Sequence, residues 1–214
     1  MESRYTERRM IKIDKPNQFE PAGVPSRHFR DALYASLLHV KPKYCLEIGT
    51  HIGQSTAVFQ RYFEEHEPEG VVVTVDITKL VNIKSYNVKQ IIVHPHVPNS
   101  DEFHRVDDHL LTHEIDSVKE NTRLIQEAIR NYPTNFFDFC FLDGDHQRQS
   151  VINDFEISRN VLDGSQYILL DDTEEEHHDS KRVYEEIVSS QSHNVYDFSK
   201  EWDCYCGCAL LWNK

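Results

Sequence analysis

No stretch of this sequence approaches the ~18 consecutive apolar residues of a membrane-spanning helix, and its first residues, MESRYTERRMIKID, hold no apolar h-region. Neither a membrane anchor nor a secretory leader is therefore expected. Cationic side chains are also in deficit: 23 Lys and Arg face 36 Asp and Glu, for a formal net charge of −13. That balance argues against a protein whose affinity rests on phosphate neutralisation. Nucleic acid is therefore not an expected partner. The C-x₂-C pairs of zinc sites are missing. The five cysteines are an odd number, and Cys45 and Cys140 lie in apolar, strand-like runs, as reduced buried thiols commonly do. A reducing, cytoplasmic compartment is the expectation. Cys204, Cys206 and Cys208 are spaced C-x-C-x-C and would share one face of a terminal strand, with a metal or redox cluster as the alternative. There is no internal repeat, and no low-complexity tract beyond EEEHHD at 174–179.

What is present is an alternation of strand and helix patterns in a chain of 214 residues, a length that suits one domain. Apolar, β-branched or aromatic runs predict strands at 44–48, 70–77, 89–93, 136–145, 166–172, 194–198 and 204–212. Helical spacing of apolar residues predicts helices over 27–40, 53–66, 117–132, 148–162 and 180–190. Asp163–Gly164 is expected to end the fourth of these as a glycine cap. Repeated β-α units imply a parallel sheet covered by helices on both faces, edged by an antiparallel ribbon from the last two strands. Residues 1–40 form an extended arm and a helix, and the polar segment 94–116 is expected to be an insertion or lid.

Ligands of open parallel sheets bind beyond the carboxyl ends of the strands. Four of the strands end in acids: Glu47, Asp76, Asp143 with Asp145, and Asp171 with Asp172. The first turn, LEIGTHIGQST, resembles a phosphate-binding loop, but it holds only Gly49 and Gly53 and lacks the central glycine through which a pyrophosphate approaches. Glu47 would repel a phosphate and suits an ammonium. Nearby backbone N–H groups would take the carboxylate of the same amino acid. Asp76, closing VVVTVD, can accept from both hydroxyls of a ribose. A ligand with an amino acid at one end and a ribose at the other is S-adenosyl-L-methionine.

LEIGTHIGQST, VTVDI, FDFCFLDGDHQRQSVINDFE and YILLDD, in that order, resemble the class I S-adenosylmethionine-dependent methyltransferases. The nearest group carries E-x-G-T-x-x-G-x-S and D-G-D-H motifs and includes small-molecule and sugar O-methyltransferases. The resemblance implies a Rossmann-like α/β fold, with a mostly parallel seven-stranded sheet, helices on both faces and an antiparallel C-terminal strand. It implies that Glu47, Gly49 and Gly53 line the methionine end with Thr50 and Ser55 nearby, that Asp76 holds the ribose, and that Asn99 and Ser100 lie near the adenine. Asp143 is expected beside the cofactor. By the pattern of metal-dependent relatives, Asp143, Asp171 and Asp172 would hold Mg²⁺ or another divalent cation, and Asp145 would be the general base, with His146 beside the cofactor.

Physical chemistry supports a cation independently, because converging carboxylates repel one another unless a cation joins them, and all-oxygen ligands favour Mg²⁺, Mn²⁺ or Ca²⁺ over zinc. Helix capping by Asp143 and Asp172 is an equally ordinary use of aspartate. His94, His96, His177 and His178 are loop histidines, expected to be solvated. The expected activity is methyl transfer to an oxygen of a small-molecule or sugar acceptor, with no membrane partner and with self-association left open. Two alternatives stand beside it: a non-methylating metal-dependent hydroxylase or lyase on the same scaffold, and a non-catalytic subunit that binds S-adenosylmethionine.

Overall fold

A computed structural model of the protein describes residues 12–14, 28–50, 53–76, 88–92, 136–174, 179–202 and 207–214. Several expectations lie outside these residues: the helix over 117–132, the 94–116 insertion with His94, His96, Asn99 and Ser100, most of the N-terminal arm, His177 and His178, and Cys204 and Cys206.

The chain begins its regular structure with α1 (His28–Val40), then β1 (Tyr44–Ile48), α2 (Gln54–His66), β2 (Val71–Asp76) and β3 (Val88–Ile92). The second half holds β4 (Phe137–Leu142), α3 (Arg148–Val161), β5 (Leu162–Asp171), α4 (Asp179–Ser190), β6 (His193–Asp197), the single turn α5 (Phe198–Glu201) and β7 (Cys208–Asn213). The seven strands form one sheet in the order β3-β2-β1-β4-β5-β7-β6. β1 pairs in parallel with β2 and β4, and β2 with β3 and β4 with β5 are also parallel, whereas β7 runs antiparallel to both β5 and β6. The seven-stranded, mostly parallel sheet with an antiparallel C-terminal strand is thus present.

The parallel strands read as apolar runs because both of their faces are covered. Cys45, Val72, Phe139, Phe141 and Leu169 pack with α1 and α2 on one face. Leu46, Val73, Val75, Cys140, Leu142, Ile168 and Leu170 pack with α3 and α4 on the other. In α1, Phe29, Leu33 and Leu37 recur at i, i+4 and i+8 and are all buried, which lays this helix on the sheet. Phe29 stacks on Phe141 with ring centroids 6.4 Å apart, so the start of α1 lies against β4.

One boundary differs from expectation. No left-handed glycine closes α3; Leu162 turns directly into extended backbone (φ −76°, ψ 152°) and opens β5. Leu162 is buried beside Phe137, and the register shifts between Phe137 and Phe139. Burying that leucine draws the chain into the sheet before Gly164 can act as a cap. Gln166, rather than Gly164, takes the positive φ of 47°.

Strand order reverses between β1 and β4, which makes their carboxyl ends the crevice of the fold. The two loops meet there at close range. Gly49 has φ of 96°, and a Cβ on it would lie 1.8 Å from the Asp143 carbonyl oxygen. The first reason for glycine at 49 is therefore the chain's own β4 loop, a contact that only the tertiary structure reveals. Gly53, φ 81°, closes a turn by donating its N–H to the Thr50 carbonyl at 2.7 Å, and it precedes α2.

Candidate active site

Glu47 pairs with Thr74 in β2 and with Phe141 in β4, and Leu169 in β5 also pairs with Phe141. Partners in register on parallel strands point to the same face, as do residues two apart on one strand. Glu47, Thr74, Asp76 and Asp171 therefore share the face covered by α1 and α2. Four acidic strand ends had been legible in the sequence; the register places three of them on one side of the sheet.

The side chain of Glu47 is fully buried. Its Oε2 accepts from the Thr56 hydroxyl at 2.7 Å, and the Ser55 and Thr74 hydroxyls also donate to its carboxyl. Its Oε1 has no hydrogen-bond partner among the described residues. Burial outweighs these hydroxyls and pushes Glu47 up to about 7. A buried carboxylate oxygen left without a donor is costly, and a ligand ammonium at this point would supply one. Asp76 Oδ2 accepts the Thr50 backbone N–H at 2.7 Å, tying the first loop to the tip of β2. The Thr50 and Thr74 hydroxyls also share a hydrogen bond. Thr56 and Thr74 were not singled out in the sequence. Thr74 had a visible signal: it is the lone polar residue within VVVTVD, on the same side as Asp76.

The tips of β4 and β5 form a second group. His146 Nε2 lies 2.9 Å from Asp172 Oδ2 and 3.7 Å from Asp143 Oδ1. The two carboxylates, Asp143 and Asp172, hold the imidazole up at about 10, so without a cation it carries its proton through neutral pH. One donor atom from each of Asp143, His146 and Asp172 lies within 4.8 Å of the other two. Two carboxylate oxygens and an imidazole nitrogen converging in this way fit a divalent cation, and the imidazole, in place of Asp171, departs from the all-oxygen set expected from the sequence and admits Mn²⁺, Fe²⁺ or Zn²⁺ beside Mg²⁺.

Asp171 and Asp145 take other partners. The Cys208 thiol donates to Asp171 Oδ1 at 2.8 Å. Burial, with Asp143 and Asp172 nearby, pushes Asp171 well above the usual carboxylate range. Asp172 adopts a left-handed backbone, φ 55°, which turns the chain out of β5 and carries this second acid toward His146. Asp145 Oδ2 accepts from the Ser150 hydroxyl at 2.6 Å, and its Oδ1 accepts from the Gln147 N–H at 3.3 Å. Asp179 Oδ2 accepts the Arg148 N–H at 3.1 Å. Asp145 and Asp179 thus serve the start of α3, the capping role that the sequence left open for Asp143. Cys208 is a buried free thiol, as are Cys45 and Cys140.

The family model described as a methyltransferase domain matches residues 46–173. Sequence comparison with curated proteins finds no match. Among solved structures, an O-methyltransferase from Bacillus cereus in complex with SAH is 19% identical over 91% of this chain and 84% of its own, with a TM-score of 0.53. The O-methyltransferase TomG from Streptomyces achromogenes, involved in tomaymycin synthesis and solved with SAM, is 16% identical over 89% of this chain and 82% of its own, TM-score 0.53. MycE, a methyltransferase of the mycinamycin biosynthetic pathway solved with Mg, SAH and mycinamycin VI, is 13% identical over 88% of this chain and 48% of its own, TM-score 0.51. At these identities the likeness is one of fold. The family match covers more than half of the chain, from β1 to the turn after β5. The chain belongs to the methyltransferase-domain family, with the fold of the class I S-adenosylmethionine-dependent enzymes.

Proposed function

We propose that this methyltransferase transfers the methyl group of S-adenosylmethionine to an oxygen of a small molecule or sugar, with a divalent cation beside the reacting hydroxyl. The observation that carries the reading is the pair of acidic groups at the switch point: the Glu47 and Asp76 carboxyls on one face of β1 and β2, and the Asp143–His146–Asp172 cluster after β4 and β5. Glu47 offers its unpartnered Oε1 to the donor's ammonium, with Ser55 and Thr56 holding the carboxyl in place. Asp76, fixed by the Thr50 N–H, offers its remaining acceptor capacity to the ribose. Gly49, Thr50 and Gly53 form the wall between them, and Asp143 closes it from the β4 side. The donor supplies an activated, electrophilic methyl group. Holding it and the acceptor together contributes about 7–11 kcal/mol of the barrier reduction that intramolecular reactions show.

Asp143, His146 and Asp172 would hold Mg²⁺ or a related cation, which favours the alkoxide form of a bound hydroxyl. Asp171, directed to Cys208, supports this group from inside the sheet. His146, expected beside the cofactor, sits within the cluster, and Asp145, the general base expected from the sequence, is engaged with Ser150 and Gln147. Solved methyltransferases of this fold carry SAH or SAM, and one carries Mg together with a mycinamycin; they support a small-molecule acceptor here. No helix among the described residues is long and apolar enough to cross a membrane. The hydroxylase, lyase and non-catalytic readings have no observation that favours them.

The test has two stages. Mass spectrometry of the purified protein, with calorimetry using S-adenosylhomocysteine, is expected to show adenosyl ligand binding that Asp76→Ala weakens on the order of 10–100-fold, the worth of hydrogen bonds to a charged group. Methyl transfer to a panel of hydroxylated acceptors is expected to stop in EDTA and return with Mg²⁺ or Mn²⁺. Unchanged affinity in the variant removes the cofactor assignment, and full activity in chelator removes the cation.

A further inference from the structure

α2 begins in an unusual way for a thirteen-residue helix. Its N-cap is Gly53, no side chain caps it, and no acidic residue stands in its first turn. The first N–H groups of such a helix attract an anion. Beside this turn stands Glu47, fully buried, with Oε2 on Thr56 and Oε1 without a hydrogen-bond partner among the described residues. On the side of α1 lies a second buried charge that the sequence reading did not assign. Arg30 is 2% exposed, and its Nη2 donates to Gln54 Oε1 at 2.8 Å. Gln54 is the first residue of α2. The neighbouring Phe29 stacks on Phe141, which fixes the start of α1 against β4, and the guanidinium lies 5.8 Å from the Phe29 ring centroid.

A guanidinium stays charged at any working pH and presents five donors in a rigid fork that matches a carboxylate. One first turn thus has a cationic fork anchored to it through Gln54 and an orphaned carboxylate oxygen anchored to it through Thr56. That is the complement of an amino-acid zwitterion: the ammonium on Glu47, the carboxylate on the α2 N–H groups and Arg30.

We propose that Arg30 binds the carboxylate of the donor's amino-acid end, so that α1 supplies part of the S-adenosylmethionine pocket; this rests on the cofactor reading given above. Arg30 then selects donors that keep the amino-acid tail over adenosyl compounds that have lost it, and couples the seating of α1 to donor binding.

The test compares two ligands on the full-length protein by calorimetry. S-adenosylhomocysteine carries the amino-acid tail, and 5′-methylthioadenosine shares the adenosine and thioether without it. Arg30→Gln is expected to weaken S-adenosylhomocysteine by about tenfold or more while 5′-methylthioadenosine stays within about twofold. Arg30→Lys, which keeps the charge and loses the fork, is expected to fall between wild type and Arg30→Gln for the first ligand and to leave the second unchanged. Thermal unfolding accompanies both variants, and Arg30→Lys carries the comparison if Arg30→Gln does not fold. Equal weakening of both ligands, or no weakening of S-adenosylhomocysteine, overturns the proposal. A wild-type protein that binds neither compound overturns the cofactor reading and the Arg30 assignment with it.

Discussion

The thiol of Cys208 donates to Asp171 Oδ1 across 2.8 Å, where β7 pairs antiparallel with the end of β5. The next residue, Asp172, instead reaches His146 at 2.9 Å. Two consecutive acids that look alike in sequence are thus divided between a buried hydrogen bond and the open cluster.

Cys208→Ala removes the thiol donor and leaves Asp171 buried without it. The expected cost is about 1–3 kcal/mol, the penalty for stranding a buried polar group. Cys208→Ser keeps a donor at nearly the same place and is expected to lose less. Urea denaturation of the two variants checks this; equal losses would mean that packing volume, rather than the hydrogen bond, is what the thiol contributes.

Glu47 gives a pH dependence with a definite sign. Its folded value of about 7 lies above the unfolded value of 4.5. Below pH 4.5 both states hold the proton, and its contribution to stability is fully present. As pH rises toward 7 the unfolded chain ionises first, so stability falls by about 3 kcal/mol across the window and then levels off. Asp154, pushed up to about 7 by burial and by Asp145, acts in the same direction. The difference between wild type and Glu47→Gln isolates the Glu47 share. Binding of an ammonium should also drive the proton off Glu47, so S-adenosylhomocysteine calorimetry at pH 6 is expected to show proton release, read as a heat that varies with the ionisation enthalpy of the buffer. A buffer-independent heat would detach the ammonium from Glu47.

Asp145 and His146 are neighbours with separable roles. Asp145→Asn weakens the bonds to Ser150 and Gln147 at the start of α3 and is expected to cost about 1 kcal/mol in stability with little change in kcat. His146→Ala is expected to weaken cation binding by roughly 10–100-fold and to lower methyl transfer at limiting Mg²⁺, with recovery as Mg²⁺ is raised. A large kcat loss in Asp145→Asn at saturating Mg²⁺, with stability unchanged, would make Asp145 the general base.

Much of this protein was legible in its sequence because local physics sets it. β-branched and aromatic runs specified the strands of a sheet covered on both faces, and YCLEI coincides with β1. The acids stand at or next to the ends of those runs, Glu47 one residue before the end of β1 and Asp76 and Asp171 closing β2 and β5. The missing central glycine of the first loop excluded a pyrophosphate cradle before any coordinates. Tertiary structure decided the rest, because each remaining feature depends on residues distant in the chain. Register put Glu47 and Asp76 on one face. The Asp143 carbonyl is what requires glycine at 49. Thr56 and Thr74 hold Glu47, and Cys208 claims Asp171. Arg30 reads in sequence as one more cation on an amphipathic helix; only the packing of α1 against α2 and β4 buries it beside Gln54. Period and composition determine which residues face inward, whereas the partner that each inward group meets is set by how the elements stack.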